Sequence, residues 1–208
     1  FSIHRSPFSV EKNMNFLAHL FLSGNDEPLI VGNFLGDFLS NKQVATLPRP
    51  FQEGVRLHRR IDSFTDQHPM VKQSSKRLQP LHGKYAPVIL DVFHDFLLAH
   101  NWGKFSPQPL GDFAKNIYLI LQHHLYLMPP FLKERLPLMI ADDWLVRYGT
   151  EEGLRFTFDR MKLRSSFPRF FENAVESLQK DFDALNEEFL YFFPEAVAMA
   201  KGWDERSV

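Results

Sequence analysis

Apolar residues return at steps of three and four along most of this chain, and no segment sustains the alternation of β-branched and polar residues that a strand needs. The chain is therefore restricted to helices. Pro28, Pro50, Pro69, Pro87 and Pro130 each stand near the start of such a run, where the missing N–H costs least because the first helical turn leaves it unpaired anyway. From Phe171 to Phe192 apolar residues fall at 171, 175, 178, 182, 185, 189 and 192. This spacing predicts one long amphipathic helix stopping before Pro194, with Glu172, Glu176, Asp181, Asp183, Glu187 and Glu188 on a solvated face. Segments near 103–109 and 165–168 read as loops. Amphipathic helices must bury their stripes on one another, so 208 residues with 44% hydrophobic content predict a single all-α domain, a bundle of about seven or eight helices. Residues 1–13 read as an N-terminal extension and 14–208 as the domain, because the periodic pattern begins at Met14.

A net charge of −1 argues against a general nucleic-acid binder. With no cysteine, disulfides and thiolate metal sites are excluded, and only oxygen and nitrogen ligands remain. No uncharged apolar run approaches the roughly 20 residues of a membrane span, and Phe1 to Asn13 is too polar and irregular for a signal peptide. The expected location is the cytoplasm.

Two segments carry metal-ligating side chains at helical spacing. His58 precedes Asp62 by four residues and Asp91 precedes Asp95 by four, so each pair shares a helix face. A same-face pair of aspartates repels itself and asks for a cation. Asp37, in the apolar stretch Val31 to Phe38, is either a ligand or a helix cap, and His94 lies one step round from Asp91. No G-x-S-x-G, P-loop or G-x-G-x-x-G occurs, which removes acyl-serine, Walker-type and Rossmann chemistry and leaves water activated by a hard divalent ion. Phosphoester hydrolysis is the natural reaction for such a set.

Four ordered blocks then carry a resemblance: Met14-Asn15-Phe16-Leu17-Ala18-His19-Leu20, Gly32-Asn33-Phe34-Leu35-Gly36-Asp37-Phe38, Leu57-His58-Arg59-Arg60-Ile61-Asp62 running on to Asp66, and Leu90-Asp91-Val92-Phe93-His94-Asp95-Phe96-Leu97 with Asn101-Trp102. Together with Asp143-Trp144-Leu145-Val146-Arg147-Tyr148, they resemble the acyl carrier protein phosphodiesterase family from Met14 to about Pro194. The resemblance implies an all-α, HD-like fold related to metal-dependent phosphohydrolases. It also implies release of 4′-phosphopantetheine from holo acyl carrier protein with a divalent metal, manganese first and magnesium or iron(II) next. Position by position it implies Asp37, His58, Asp62, Asp91 and Asp95 as metal residues. Where the family usually has Asp-His this chain has Asp95-Phe96, which makes His94 a candidate to supply the missing imidazole.

Within that reading Asp37, Arg59 and His19 are the catalytic candidates. Arg59 lies beside the ligand stripe and its planar guanidinium suits two phosphoryl oxygens, with a surface ion pair as the alternative. His19 is an outer group of the site or a proton donor to the leaving oxygen, with a buried structural histidine as the alternative. Acyl carrier proteins are strongly acidic, and the stretch from Gln67 to Leu90 has no acidic residue but carries Lys72, Lys76, Arg77 and Lys84. Those four are the expected docking residues, against the alternative of a solvated basic face. Two other functions stay open at this point: an HD-like phosphohydrolase for a nucleotide or another small phosphoester, and a non-catalytic helical binding protein with a weakened metal site.

Overall fold

A computed structural model of the protein describes residues 16–204, and the expected extension over 1–13 lies outside them. Among the described residues the structure is helical throughout: α1 (Phe16–Leu22), α2 (Glu27–Leu35), α3 (Asn41–Val44), α4 (Arg49–Gln67), α5 (Pro69–His82), α6 (Ala86–His100), α7 (Trp102–Phe105), α8 (Leu110–His123), α9 (Pro130–Ala141), α10 (Trp144–Arg147), α11 (Glu151–Arg164), α12 (Ala174–Lys180) and α13 (Phe182–Asp204). Three of these, α3, α7 and α10, are single turns. None is long and apolar enough to cross a membrane.

The prolines do what their chemistry dictates. Pro28, Pro50, Pro69, Pro87 and Pro130 all fall in the first turn of α2, α4, α5, α6 and α9. At the α4–α5 junction Pro69 holds His68 in an extended conformation (ψ 133°), which ends α4. The His68 imidazole then accepts from the Met70 N–H at 3.2 Å and caps α5.

The long helix expected over 171–192 is broken. Asn173 takes up the left-handed conformation at the start of α12 (φ 56°), and Asp181 (φ −107°, ψ 18°) separates α12 from α13. Nor does the helix stop before Pro194, since α13 continues to Asp204. An internal proline costs about 3 kcal/mol. Phe189, Phe192, Phe193 and Ala196 are buried on both sides of it, and each phenylalanine contributes roughly 1.5–3 kcal/mol, so packing outweighs the lost backbone bond. The solvated acidic face needs one correction as well: Glu188 is buried and accepts from Gln73, Ser74 and Arg77 of α5.

The most extensive helix pair is α2 on α4. A Cβ on Gly32 would stand 2.1 Å from the Phe51 carbonyl oxygen, and one on Gly54 would stand 2.5 Å from that of Leu29. Only glycines at these two points let the backbones touch. Helices α1 and α6 pack together, and α13 closes over α1, α4, α5 and α6. The core between them is rich in aromatic rings, with Phe34, Phe93, Phe158, Phe171, Phe189 and Phe193 almost fully buried.

Candidate metal centre

The close approach of α2 to α4 brings residues of both helices against α1. Gly32 and Gly36, four apart, face α4, and a Cβ on Gly36 would lie 2.5 Å from Cγ of His58. The missing side chain is the space the imidazole occupies. One step round the helix, Asn33 and Asp37 form the next stripe, and both reach His58.

Asn33 is fully buried and decides the state of two histidines. Its Nδ2 donates to the His19 carbonyl (2.9 Å) and to Ser23 Oγ (2.8 Å), while Ser23 Oγ donates to the same carbonyl. A carbonyl only accepts, so this end of the amide must be the NH₂ and the other end the oxygen. That oxygen lies 2.9 Å from His19 Nδ1 and 3.0 Å from His58 Nδ1. Both Nδ1 atoms must therefore carry hydrogens and donate, which leaves the Nε2 lone pairs of the neutral rings aimed at one point.

Carboxylates surround that point. His19 Nε2 lies 3.2 Å from Asp62 Oδ1, and His58 Nε2 lies 3.4 Å from both Asp62 Oδ2 and Asp37 Oδ1. Donor atoms of His19, His58 and Asp62 fall within 4.8 Å of one another. His19 Nε2 is buried and faces Asp62. Burial would lower the His19 pKa, but Asp62, Asp37 and Asn33 more than reverse this and hold it above the usual imidazole value. Asp91 is within electrostatic range of Asp62, Asp66, Asp95 and Asp37. Burial first, and these like charges second, push its carboxyl well above the usual range. Asp66, one turn beyond Asp62, is also raised, by partial burial and then by Asp62. Two imidazole nitrogens and a carboxylate oxygen, with further aspartates close by, form a donor set that fits a divalent cation.

The candidates from the sequence part company here. Asp37, His58, Asp62 and Asp91 share this neighbourhood. Asp95 is there too, but its Oδ2 accepts from the Leu17 N–H (3.0 Å) and its Oδ1 from the Ala18 N–H (2.8 Å). Its charge is met by the start of α1, so the Asp91/Asp95 pair does not by itself require a cation. What Asp95 secures is the helix that carries His19.

His94 faces away. Its ring stacks on Phe192 (5.3 Å) and lies against Phe189 (5.8 Å) of α13, and burial with His68 nearby lowers its pKa to about 3. Phe96 stacks on His100. The two imidazoles of the cluster thus come from α1 and α4, and α6 contributes none. Arg59 is exposed and donates to Asn41 Oδ1 at 2.6 Å, on the turn that follows Asp37. Of the expected docking residues, Lys72 and Lys76 are exposed. Arg77 is bound to Glu188, and Lys84 sits over the rings of Tyr85 and Phe167.

The sequence reading missed Asn33, Asp66 and the inner position of His19. Asp66 continues the 58/62 ladder by one more step of four, and that signal was present. Asn33 stands four residues before Asp37, a signal of the same kind, whereas His19 has no acidic or imidazole partner on α1.

The model of a family described as "Acyl carrier protein phosphodiesterase" matches residues 14–196. The chain is similar to the acyl carrier protein phosphodiesterase of Photorhabdus laumondii subsp. laumondii, 32% identical over 199 residues, 92% of this chain and 97% of that protein. It is also similar to those of Enterobacter sp. (strain 638), 30% identical with 90% and 98% covered, and Salmonella dublin, 30% identical with 90% and 97% covered. No solved structure matches.

Proposed function

This chain belongs to the acyl carrier protein phosphodiesterase family, and on that premise we propose that it hydrolyses holo acyl carrier protein to apo acyl carrier protein and 4′-phosphopantetheine. The observation that carries the reading is the convergence of His19 Nε2, His58 Nε2 and the Asp62 carboxylate, oriented by one buried asparagine. We assign the cation to these three, with Asp37 and Asp91 completing its oxygen ligands. Manganese is the first choice and magnesium or iron(II) the alternatives, since mixed nitrogen and oxygen donors suit all three. When bound, such an ion polarises the phosphoryl oxygens and makes a water nucleophilic at neutral pH.

The protein's own part is to hold geometry and charge. Asn33 keeps both Nδ1 hydrogens occupied, so neither ring can turn its N–H toward the site. Asp95 anchors α1 through Leu17 and Ala18 and so fixes His19. We assign to Asp37 the proton of the attacking water. Water oxygen bonds to phosphorus, the bond from phosphorus to the carrier serine oxygen breaks, and that oxygen takes the proton that Asp37 received from the water to become the free serine. Arg59, beside the stripe, is assigned to the charge that grows on the phosphoryl oxygens. A substrate of this kind fits a protein of the cytoplasm.

His94 packs on α13 while Asp95 accepts from the start of α1, so the adjacent His94-Asp95 pair does not act as one ligand unit. A non-catalytic protein is disfavoured by the complete donor set, and a small phosphoester by the family.

The test is a mass measurement on holo acyl carrier protein incubated with the protein and Mn²⁺. Loss of the whole phosphopantetheine arm is expected, and chelation should abolish it. An unchanged carrier mass, together with turnover of a nucleotide or other small phosphoester, would overturn the reading.

A further inference from the structure

Far along the sequence from the metal cluster, α10 and α11 form a second concavity. Trp144, Arg147, Tyr148, Phe156, Arg160 and Arg164 are among the residues that line it. No lining residue is a carboxylate, and the charged ones are all arginines. The Arg147 guanidinium lies over the Phe156 ring (4.9 Å), and that of Arg160 lies over Phe156 (5.3 Å) and Trp144 (5.5 Å). Trp144 Nε1 is buried with no hydrogen-bond acceptor. The indole and the guanidiniums only donate, so the nitrogen groups of the concavity all face it as donors.

The charges crowd one another. Partial burial, then Arg135 of α9 and Arg160, lower the pKa of Arg164. Among the described residues the carboxylate paired to this group is Glu152, 3.7 Å from Arg147 and 88% exposed, too loose to neutralise it. Beside the arginines, Phe156 is 36% exposed and Leu163 88% exposed. Leu163 lies seven residues, two turns, from Phe156, so apolar and cationic groups alternate on one helix face. A cationic face with apolar members matches an acidic protein surface.

We propose that this α10–α11 face, centred on Arg147, Arg160 and Arg164 with Phe156 and Leu163, is where the acidic carrier protein docks. The proposal rests on the carrier-protein reading and sets this surface against the expected one on α5, where Lys72 and Lys76 are exposed. On α5 the Arg77 guanidinium is engaged by Glu188, and Lys84, just beyond the helix, is engaged by two aromatic rings. Tyr148 lines the concavity and is buried, and burial, then Asp95, Tyr118 and Asp37, raise the pKa of its phenol.

The test is direct binding, so that it stands apart from turnover. Purified apo and holo acyl carrier protein are titrated calorimetrically into the full-length protein and into Arg160→Glu, Arg164→Glu, Arg164→Gln, Leu163→Ser and the double variant Lys72→Glu/Lys76→Glu. Melting curves confirm folding, and the glutamine and serine variants cover the case in which charge reversal prevents it. Each arginine reversal is expected to weaken binding by about ten-fold or more at low salt, with a shallower salt dependence than the parent. The lysine pair is expected to change affinity less than about two-fold. Unchanged affinity in the arginine and leucine variants, while the parent binds, overturns the docking surface and leaves the activity intact. Stabilisation of the parent, but not Arg160→Glu, by inorganic phosphate with carrier affinity unaltered would also overturn it, making the concavity a small-anion site. A parent that neither binds nor hydrolyses carrier removes the functional reading, and this surface with it.

Discussion

Glu188, between α5 and α13, and the carboxylates around His58, between α1, α2, α4 and α6, are both withdrawn from water, yet the protein treats them in opposite ways. Burial would raise the Glu188 pKa, but Ser74, Arg77 and Gln73 all donate to it and hold it below the usual carboxylate range. Its charge is satisfied from within, and the group is a clamp. Around His58 the balance runs the other way. Asp91 is pushed up by burial and by a ring of like charges, and Asp37 and Asp62 have imidazole nitrogens 3.2–3.4 Å away. A charge that the fold satisfies serves stability, and a surplus it leaves unsatisfied awaits a ligand.

The sharpest way to break this contrast is to remove the ligands. His58→Ala or Asp62→Ala should cut Mn²⁺-dependent release of phosphopantetheine by about 10³-fold or more, because the activated water supplies most of the rate. Both should also lose the rise in melting temperature that Mn²⁺ gives the parent, while folding persists without metal. Undiminished turnover at saturating Mn²⁺ would make the cluster structural, like Glu188.

Glu188→Ala should do the reverse. Removing the buried carboxylate leaves Ser74 stranded while Arg77 and Gln73 can return to water, at a cost of about 1–3 kcal/mol, read by urea titration. The fraction that remains folded should keep its kcat. A proportional loss of kcat in fully folded protein would tie the α5–α13 clamp to the site.

Gly36→Ala tests how tightly the imidazole is seated. A methyl group 2.5 Å from His58 Cγ must displace the ring, and a shift of about 1 Å is enough for roughly a 10²-fold loss of kcat. Activity within a factor of two would mean that His58 is free to move.

The smallest effect belongs to His94. Its pKa in the fold is about 3, below the ordinary imidazole value. As pH falls below that ordinary value the unfolded chain takes up a proton that the folded one refuses, so stability is lost progressively on acidification down to about pH 3. The slope from this residue is about 1.4 kcal/mol per pH unit. His94→Phe should flatten it and leave turnover within about two-fold, since the ring faces α13. A large loss of activity would return His94 to the ligand set.

Much of this was legible in the chain. The five prolines in first turns, the exclusion of strands and the His58/Asp62 stripe follow from spacing alone, and the four blocks name the family. Other features looked the same in sequence but differ in the fold. Glu188 and Glu187 read alike as members of a solvated face, yet only Glu188 is buried, because α5 carries three donors opposite it. Asp91 and Asp95 read as an equivalent pair, yet only Asp95 is closed off by backbone N–H groups from a helix 77 residues earlier. Arg77 and Lys72 read as one basic face until Glu188 claimed the first.

What the sequence by itself determined is local: where helices begin, which residues share a face, and which side chains on one helix can act together. Those follow from the 3.6-residue period and from the missing N–H of proline, neither of which needs a distant partner. Only the tertiary structure decided which faces meet. The glycine contact between α2 and α4 brings Asn33 under two histidines from different helices, and Asp95 anchors one of them. Burial, tautomer and charge balance at the site depend on atoms that are neighbours in space and remote in the chain, so no local pattern could contain them.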